Sequence, residues 1–275
     1  MCGIVGYVGP RQAPNVILSG LKRLEYRGYD SAGLAVLEQN GQVQIRRDVG
    51  KLSNLEGLVG VSPIEGHIGI GHTRWATHGV PSQRNAHPHA GMNGRVVLVH
   101  NGIVENYLEL KEELAAEGVH FESDTDTEVI VQLIERYLET GIDFVTAVRH
   151  ALERLKGSNA VVTMTTDNPN QLVCARLGNA GGITLGLGNQ EMFIASDIPA
   201  ILEYTTRDVI FLENRQMAVV EPGRYQVMDL KGGLITPEIH NIPWDPVSAV
   251  KGEYKHFMQK EIFEQPRALI DTLRG

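Results

Sequence analysis

The chain has 275 residues, 42% hydrophobic and 21% charged, enough for one large or two small soluble domains with a sizeable core. Its net charge of −8 and scattered basic residues argue against a nucleic-acid partner, and no apolar run approaches the roughly 18–20 residues that span a bilayer. Two cysteines, Cys2 and Cys174, are too few for a disulfide scaffold and fit a reducing, cytoplasmic setting.

Residues 2–8 read as a first strand, too rich in glycine to be helical. Pro14 suits a helix start, Ile17, Leu21 and Leu24 recur at helical spacing, and Gly28 closes the helix. Residues 31–37 and 42–47 read as two strands around Asn40-Gly41, a strong hairpin signal. A short helix over 51–59 and strands over 67–73 and 95–100 follow. Between those strands lies a long polar loop holding His72, Arg74, Trp75, Thr77, His78, His87 and His89; loops of such composition tend to carry function. Helices are predicted over 106–116, from Thr125 with a Thr125–Glu128 capping box, and over 144–155.

After Gly157 the chain turns β-rich, with strands at 160–165, 172–177, 183–187, 192–195, 209–212, 217–220 and 225–229. Tight polar and glycine turns between them suggest antiparallel sheet. Strands, then helices, then strands fit an α+β layered fold with mainly antiparallel sheets. Residues 1–240 read as one domain and 241–275 as an extended connector (241–246) and the start of a further domain, with Phe257, Met258, Ile262 and Phe263 exposed.

Cys2 directly follows the initiator methionine. With Met1 removed, Cys2 carries both a thiol and the α-amine. An ordinary cysteine has a pKa of about 8.5 and an α-amine one near 7.7–8.0, so the amine can take the thiol proton. A nucleophile activated by its own N-terminal amine is an established device for acyl transfer. By position alone, Cys2 reads as a small residue opening a buried strand. Asn101 and Gly102 end an apolar strand, where a side-chain amide beside a glycine N–H can hold an oxyanion; alone, Asn-Gly is a favoured turn. Arg74 can grip a carboxylate through two parallel bonds, and Asp126 can take a substrate ammonium or offset a helix dipole. Trp75 can cover such a site or pack under the loop.

The histidines at 67, 72, 78, 87, 89 and 100 raise the rival of a metallohydrolase. None shows the i, i+4 spacing of a zinc helix, and no metal is expected. Cys174, mid-strand, reads as inert core. The glycine clusters at 178–181 and 186–188 lack a following helix and read as turns, not dinucleotide loops.

Several motifs carry one resemblance: Met-Cys-Gly-Ile-Val-Gly at 1–6, Leu-Glu-Tyr-Arg-Gly-Tyr-Asp-Ser-Ala-Gly at 24–33, Gly-His-Thr-Arg-Trp-Ala-Thr-His-Gly at 71–79, Asn-Ala-His-Pro-His at 85–89, His-Asn-Gly-Ile-Val-Glu-Asn at 100–106, Thr-Asp-Thr-Glu at 125–128 and Met-Gln-Lys-Glu-Ile at 258–262. Over essentially its whole length the chain resembles the class II glutamine amidotransferases of the N-terminal nucleophile hydrolase superfamily, its hexosamine-forming members above all. That resemblance implies a four-layer αββα sandwich. It implies that Cys2 attacks the glutamine carboxamide, releasing ammonia and leaving a γ-glutamyl thioester that water cleaves to glutamate.

The resemblance further implies that Asn101 and Gly102 hold the oxyanion, and that Arg74 and Asp126 bind the substrate carboxylate and amine. It puts Thr77 and His78 around the pocket, Arg27 and Gly28 near the Cys2 amine, and Trp75 as a gate for ammonia. It implies no cofactor, a second domain that converts fructose 6-phosphate to glucosamine 6-phosphate, and a homodimer at full length. One departure is the loop at 178–182, where relatives usually carry a Gly-Ser-Pro-Leu-like sequence. The alternatives are another class II amidotransferase or a non-catalytic amino-acid-binding domain.

Overall fold

A computed structural model of the chain describes residues 2–179, 181–205, 207–243, 254 and 257–274. Two compact units emerge, one up to Asn241 and the other from Ile242 onward.

The first unit is two stacked sheets. One has eight strands. They are β1 (Gly3–Val8), β2 (Ser31–Leu37), β3 (Val43–Val49), β4 (Ile68–Arg74), β9 (Thr184–Leu187), β10 (Met192–Ala195), β11 (Asp208–Phe211) and β15 (His240–Asn241), in the order β15-β11-β9-β10-β1-β4-β2-β3. The other has seven: β5 (His89–Ala90), β6 (Val96–Gly102), β7 (Asn159–Thr165), β8 (Leu172–Leu177), β12 (Gln216–Glu221), β13 (Arg224–Asp229) and β14 (Leu234–Ile235), in the order β14-β13-β12-β8-β7-β6-β5. Every described pairing is antiparallel.

Strand alternation distributes the apolar side chains among three cores. Ile4, Val8, Ile68, Ile70, Val97, Val99 and Val162 fill the space between the sheets. Val5 and Tyr7, pointing the other way from β1, pack under α1 (Ala13–Leu24) and α2 (Leu52–Val61). Val96 and Leu98 of β6 pack under α3 (Tyr107–Ala116), α4 (Glu128–Glu139) and α5 (Phe144–Arg154). The result is the four-layer αββα sandwich.

The predicted elements are nearly all present, with instructive differences. The first helix ends at Leu24 and continues as a single 3₁₀ turn, Glu25–Arg27, before Gly28. Strands β5, β14 and β15 have two residues each, too short to show a period in sequence. The expected capping box at Thr125 does not form. The helix begins at Glu128, and its carboxylate accepts from the backbone N–H groups of Glu122 (2.9 Å) and Ser123 (2.6 Å). The glutamate does reach back to orphan donors, but they belong to the incoming loop. Of the glycines expected in turns, Gly178 sits in a turn and Gly188 just past a strand end, whereas Gly186 lies inside β9.

In the second unit α6 runs from Phe257 to Arg274 with Pro266 inside it, and Met258, Ile262 and Phe263 are exposed. The Phe257 side chain and residues 244–246 of the expected connector lie outside the described residues.

Helix α1 lies close on β4 because that strand presents glycine at 69 and 71. A Cβ at 71 would sit 2.3 Å from Ile17 Cγ2 and 3.0 Å from Leu21 Cδ1. Gly71→Val should therefore overpack this interface and cost about 1–3 kcal/mol. The expected result is a lowered denaturant midpoint with an unchanged m-value.

Candidate active site

The pleat brings the chemistry-bearing residues to one place. On β1, Ile4 and Val8 face the space between the sheets, so Cys2, two residues before Ile4, shares that side. On β4, Ile68 and Ile70 set the same side for His72 and Arg74; on β6, Val97 and Val99 set it for Asn101. The register pairs Gly3 with Thr73, which puts Cys2 beside the Arg74–Trp75 peptide.

The Trp75 N–H donates to Cys2 Sγ at 3.1 Å. Burial raises the Cys2 thiol above its ordinary pKa; the Trp75 N–H and the Arg74 and Arg27 guanidinium groups pull the other way. Gly28 lets the preceding turn lie flat on the same peptide, since a Cβ there would come within 2.7 Å of Arg74 C and 2.9 Å of Trp75 N. Asp30 fixes the next N–H, accepting from Ala76 at 2.8 Å.

The Asn101 carboxamide donates through Nδ2 to the Cys2 carbonyl at 3.1 Å, and its Oδ1 lies 3.0 Å from His72 Nε2. Gly102 has φ 137°, and a Cβ there would fall 2.2 Å from Ser158 O, so only glycine fits. Arg74 is 4% exposed; its Nη2 donates to the carbonyls of His78 and Gly79, while the buried Nη1 has no hydrogen-bond partner among the described residues. Asp126, also 4% exposed, accepts the Val104 N–H at 2.7 Å and precedes α4 without capping it.

A cavity of about 450 Å³ gathers Cys2, Arg74, Trp75, Thr77, Asn101, Gly102 and Asp126. A cationic guanidinium, a carboxylate, a thiol and a primary amide donor thus face one volume large enough for an amino acid. Trp75 is half-exposed at its edge, with the Tyr29 ring 5.6 Å away. Three expected residues do not line it. Arg27 is paired with Asp197 at 2.5 Å, Gly28 acts through the 74–75 peptide, and His78 contributes its carbonyl to Arg74 while its ring meets Tyr107. Beyond the expected catalytic and substrate-binding set, the lining also takes in His87, His100, Ile103, Glu105, Thr125, Thr127 and Ser158. Glu105 belongs to the 100–106 motif, so its position was available as a signal.

The comparisons with known proteins bear on this geometry. The profile of the glutamine amidotransferase domain family matches residues 72–203. The chain carries a glutamine amidotransferase domain. Its whole length is 50% identical to glutamine–fructose-6-phosphate aminotransferase (isomerizing) of Caldanaerobacter subterraneus and to that of Pyrococcus horikoshii, covering 44% and 46% of those proteins. The chain therefore spans less than half the length of the curated relatives it matches. Among solved structures, the glutamine phosphoribosylpyrophosphate amidotransferase of B. subtilis superposes with a TM-score of 0.73 at 24% identity, over 85% of this chain and 50% of that one. An allosteric regulatory enzyme of purine biosynthesis superposes with a TM-score of 0.72 at 26% identity, over 83% of this chain and 49% of that one. The two-sheet architecture of the amidotransferase domain is the one these enzymes share.

Four histidines, His72, His87, His89 and His100, form a buried hydrogen-bonded cluster, of which His87 and His100 reach the cavity wall. His87 Nε2 lies 3.0 Å and His100 Nδ1 2.9 Å from Thr127 Oγ1; His100 Nε2 lies 2.9 Å from Asn159 Oδ1. His89 Nε2 lies 3.1 Å from Thr125 Oγ1. No group of three His, Cys, Asp or Glu side chains among the described residues is arranged to hold a metal ion. Among the described residues, no helix is long and apolar enough to cross a membrane. Cys174 is sealed in the core and burial pushes its thiol far up.

Burial lowers the pKa of His72 to about 3 and lowers those of His87, His89 and His100. The unfolded chain, with histidines near 6.5, binds more protons than the folded one below that pH. Stability present above about pH 6.5 should fall as pH drops, by up to about 1.4 kcal/mol per pH unit for each such histidine. Urea midpoints measured between about pH 7.5 and 5.5 should decline steadily, above the range where carboxylates titrate. A flat profile would contradict the assignment of neutral buried rings.

Proposed function

We propose that this domain hydrolyses glutamine to glutamate and ammonia, with Cys2 as nucleophile. The observation that carries the reading is the convergence of Cys2, Arg74, Asn101 and Asp126 on one cavity. With Met1 removed, the Cys2 amine takes the thiol proton; a thiol made less acidic by burial needs such a neighbour. The thiolate attacks the carboxamide carbon. The resulting oxyanion is held by Asn101 Nδ2 and the Gly102 N–H, ammonia leaves, and water cleaves the thioester to glutamate.

Arg74, with one nitrogen unpartnered, takes the substrate α-carboxylate, and Asp126 takes the α-amine. Thr77 and the backbone at His78 shape that end; Arg27 and Gly28 support the Cys2 end; Trp75 covers the opening. The names of the relatives extend the reading: in a protein of their length, the ammonia serves conversion of fructose 6-phosphate to glucosamine 6-phosphate in a second domain. Residues 241–275 would be the connector to that domain and its beginning, in a homodimer. Two free cysteines, one of them reactive, suit a reducing cytoplasm.

Labelling with a glutamine-like electrophile, followed by peptide mapping, should place the adduct on Cys2 with Met1 absent. An unprocessed or acylated N-terminus with normal glutamate production would overturn the amine's role. Cys2→Ala should abolish glutamate release while glutamine still binds. Asn101→Ala should lower kcat by about 10²–10³-fold. Arg74→Lys should raise KM for glutamine, because one ammonium cannot reproduce the fork.

A further inference from the structure

The orientation of the Asn101 side chain decides whether the cavity holds a donor or an acceptor beside the nucleophile. His72 Nε2 lies 3.1 Å from the His100 carbonyl oxygen and 3.0 Å from Asn101 Oδ1. A carbonyl oxygen only accepts, so Nε2 must carry a proton. A protonated Nε2 demands an acceptor from Asn101, which turns Oδ1 toward His72 and Nδ2 toward Cys2, where it meets the Cys2 carbonyl at 3.1 Å. The reversed amide would set N–H against N–H at one end and oxygen against oxygen at the other, losing both bonds in a buried site.

We propose that His72 is a positioning residue: through its Nε2–H it locks the Asn101 carboxamide with the N–H₂ group toward the reacting carbonyl. The ring is suited to this. It is 1% exposed, it stacks on His87 with centroids 4.2 Å apart, and its Nδ1 has no hydrogen-bond partner among the described residues. His72 is not among the residues that line the cavity. Its Nε2–H is present in the neutral and cationic ring alike, so the lock is independent of pH. This inference rests on the reading of Asn101 as the oxyanion donor.

The test is a double-mutant cycle on glutamine hydrolysis with His72→Phe, Asn101→Ala and the pair. His72→Phe should lower kcat by about tenfold or more, the worth of one oriented hydrogen bond, with KM within about threefold and no shift in the pH profile. The double variant should be no slower than Asn101→Ala alone. His72→Gln, which keeps a side-chain N–H donor, should recover most of kcat. It carries the test should the phenylalanine variant fail to fold, since a loss as large as that of Asn101→Ala would then overturn the proposal. Effects that multiply in the double variant, or a His72→Phe change confined to KM, also overturn it. A slowed Asn101→Ala beside an unaffected His72→Phe defeats the role of His72 alone; an unaffected Asn101→Ala removes the oxyanion reading and this inference with it.

Discussion

The carboxamide of Asn101 ties the two sheets together at the end where the cavity opens. It sits on β6 of one sheet, donates to Cys2 at the head of β1, and is met by His72 from β4 of the other sheet. For these groups to meet, β1 and β4 must hold their register and both sheets must show the right pleat face. A slip of one residue in β1 would turn Cys2 toward α1 and place Gly3 at the cavity. The apolar filling between the sheets, Ile4, Ile70, Val97 and Val99 among others, sets that register by having only one face to bury. The order of importance thus runs from core to site: greasy side chains fix the register, and register places sulfur beside amide.

The same packing explains how so much polarity is tolerated inside. Four buried histidines, two threonines and two asparagines near the cavity exchange hydrogen bonds with one another and with backbone. An unpaired buried polar group costs on the order of 1–3 kcal/mol, so the cluster survives because most of its donors and acceptors are matched. Neutral rings avoid the far larger cost of a buried charge. Arg74 is a buried cation with a donor to spare, and within the cluster His72 Nδ1, His87 Nδ1 and Asn159 Nδ2 also lack a partner among the described residues.

Much of this was legible in the chain. The Asn40-Gly41 turn signal places β2 and β3 to within two residues, and the helical spacing of Ile17, Leu21 and Leu24 gives α1. Cys2, Arg74, Asn101 and Asp126 were readable because their local motifs are dense and unusual. The start of α4 was not, because Thr125 and Glu128 form a capping pattern whose true partners lie in the loop before it. The histidines read one by one as candidates for metal ligands. Their partners, Thr127, Asn159 and Asn101, come from 27 to 59 residues away, a pairing that only the stacked sheets reveal. His78 marks the opposite limit: the resemblance put it around the pocket, whereas it does not line the cavity and acts through its carbonyl on Arg74.

Because one wall of the cavity belongs to each sheet, an occupant that touches both works as a rivet. A molecule held by Arg74 and Cys2 on one side and by Asn101 on the other can be bound only while the layers stay face to face. At a concentration one hundred times its dissociation constant, such an occupant adds about 2.7 kcal/mol against unfolding. Resistance to heat in this domain is therefore a property shared between the polypeptide and whatever fills its cleft.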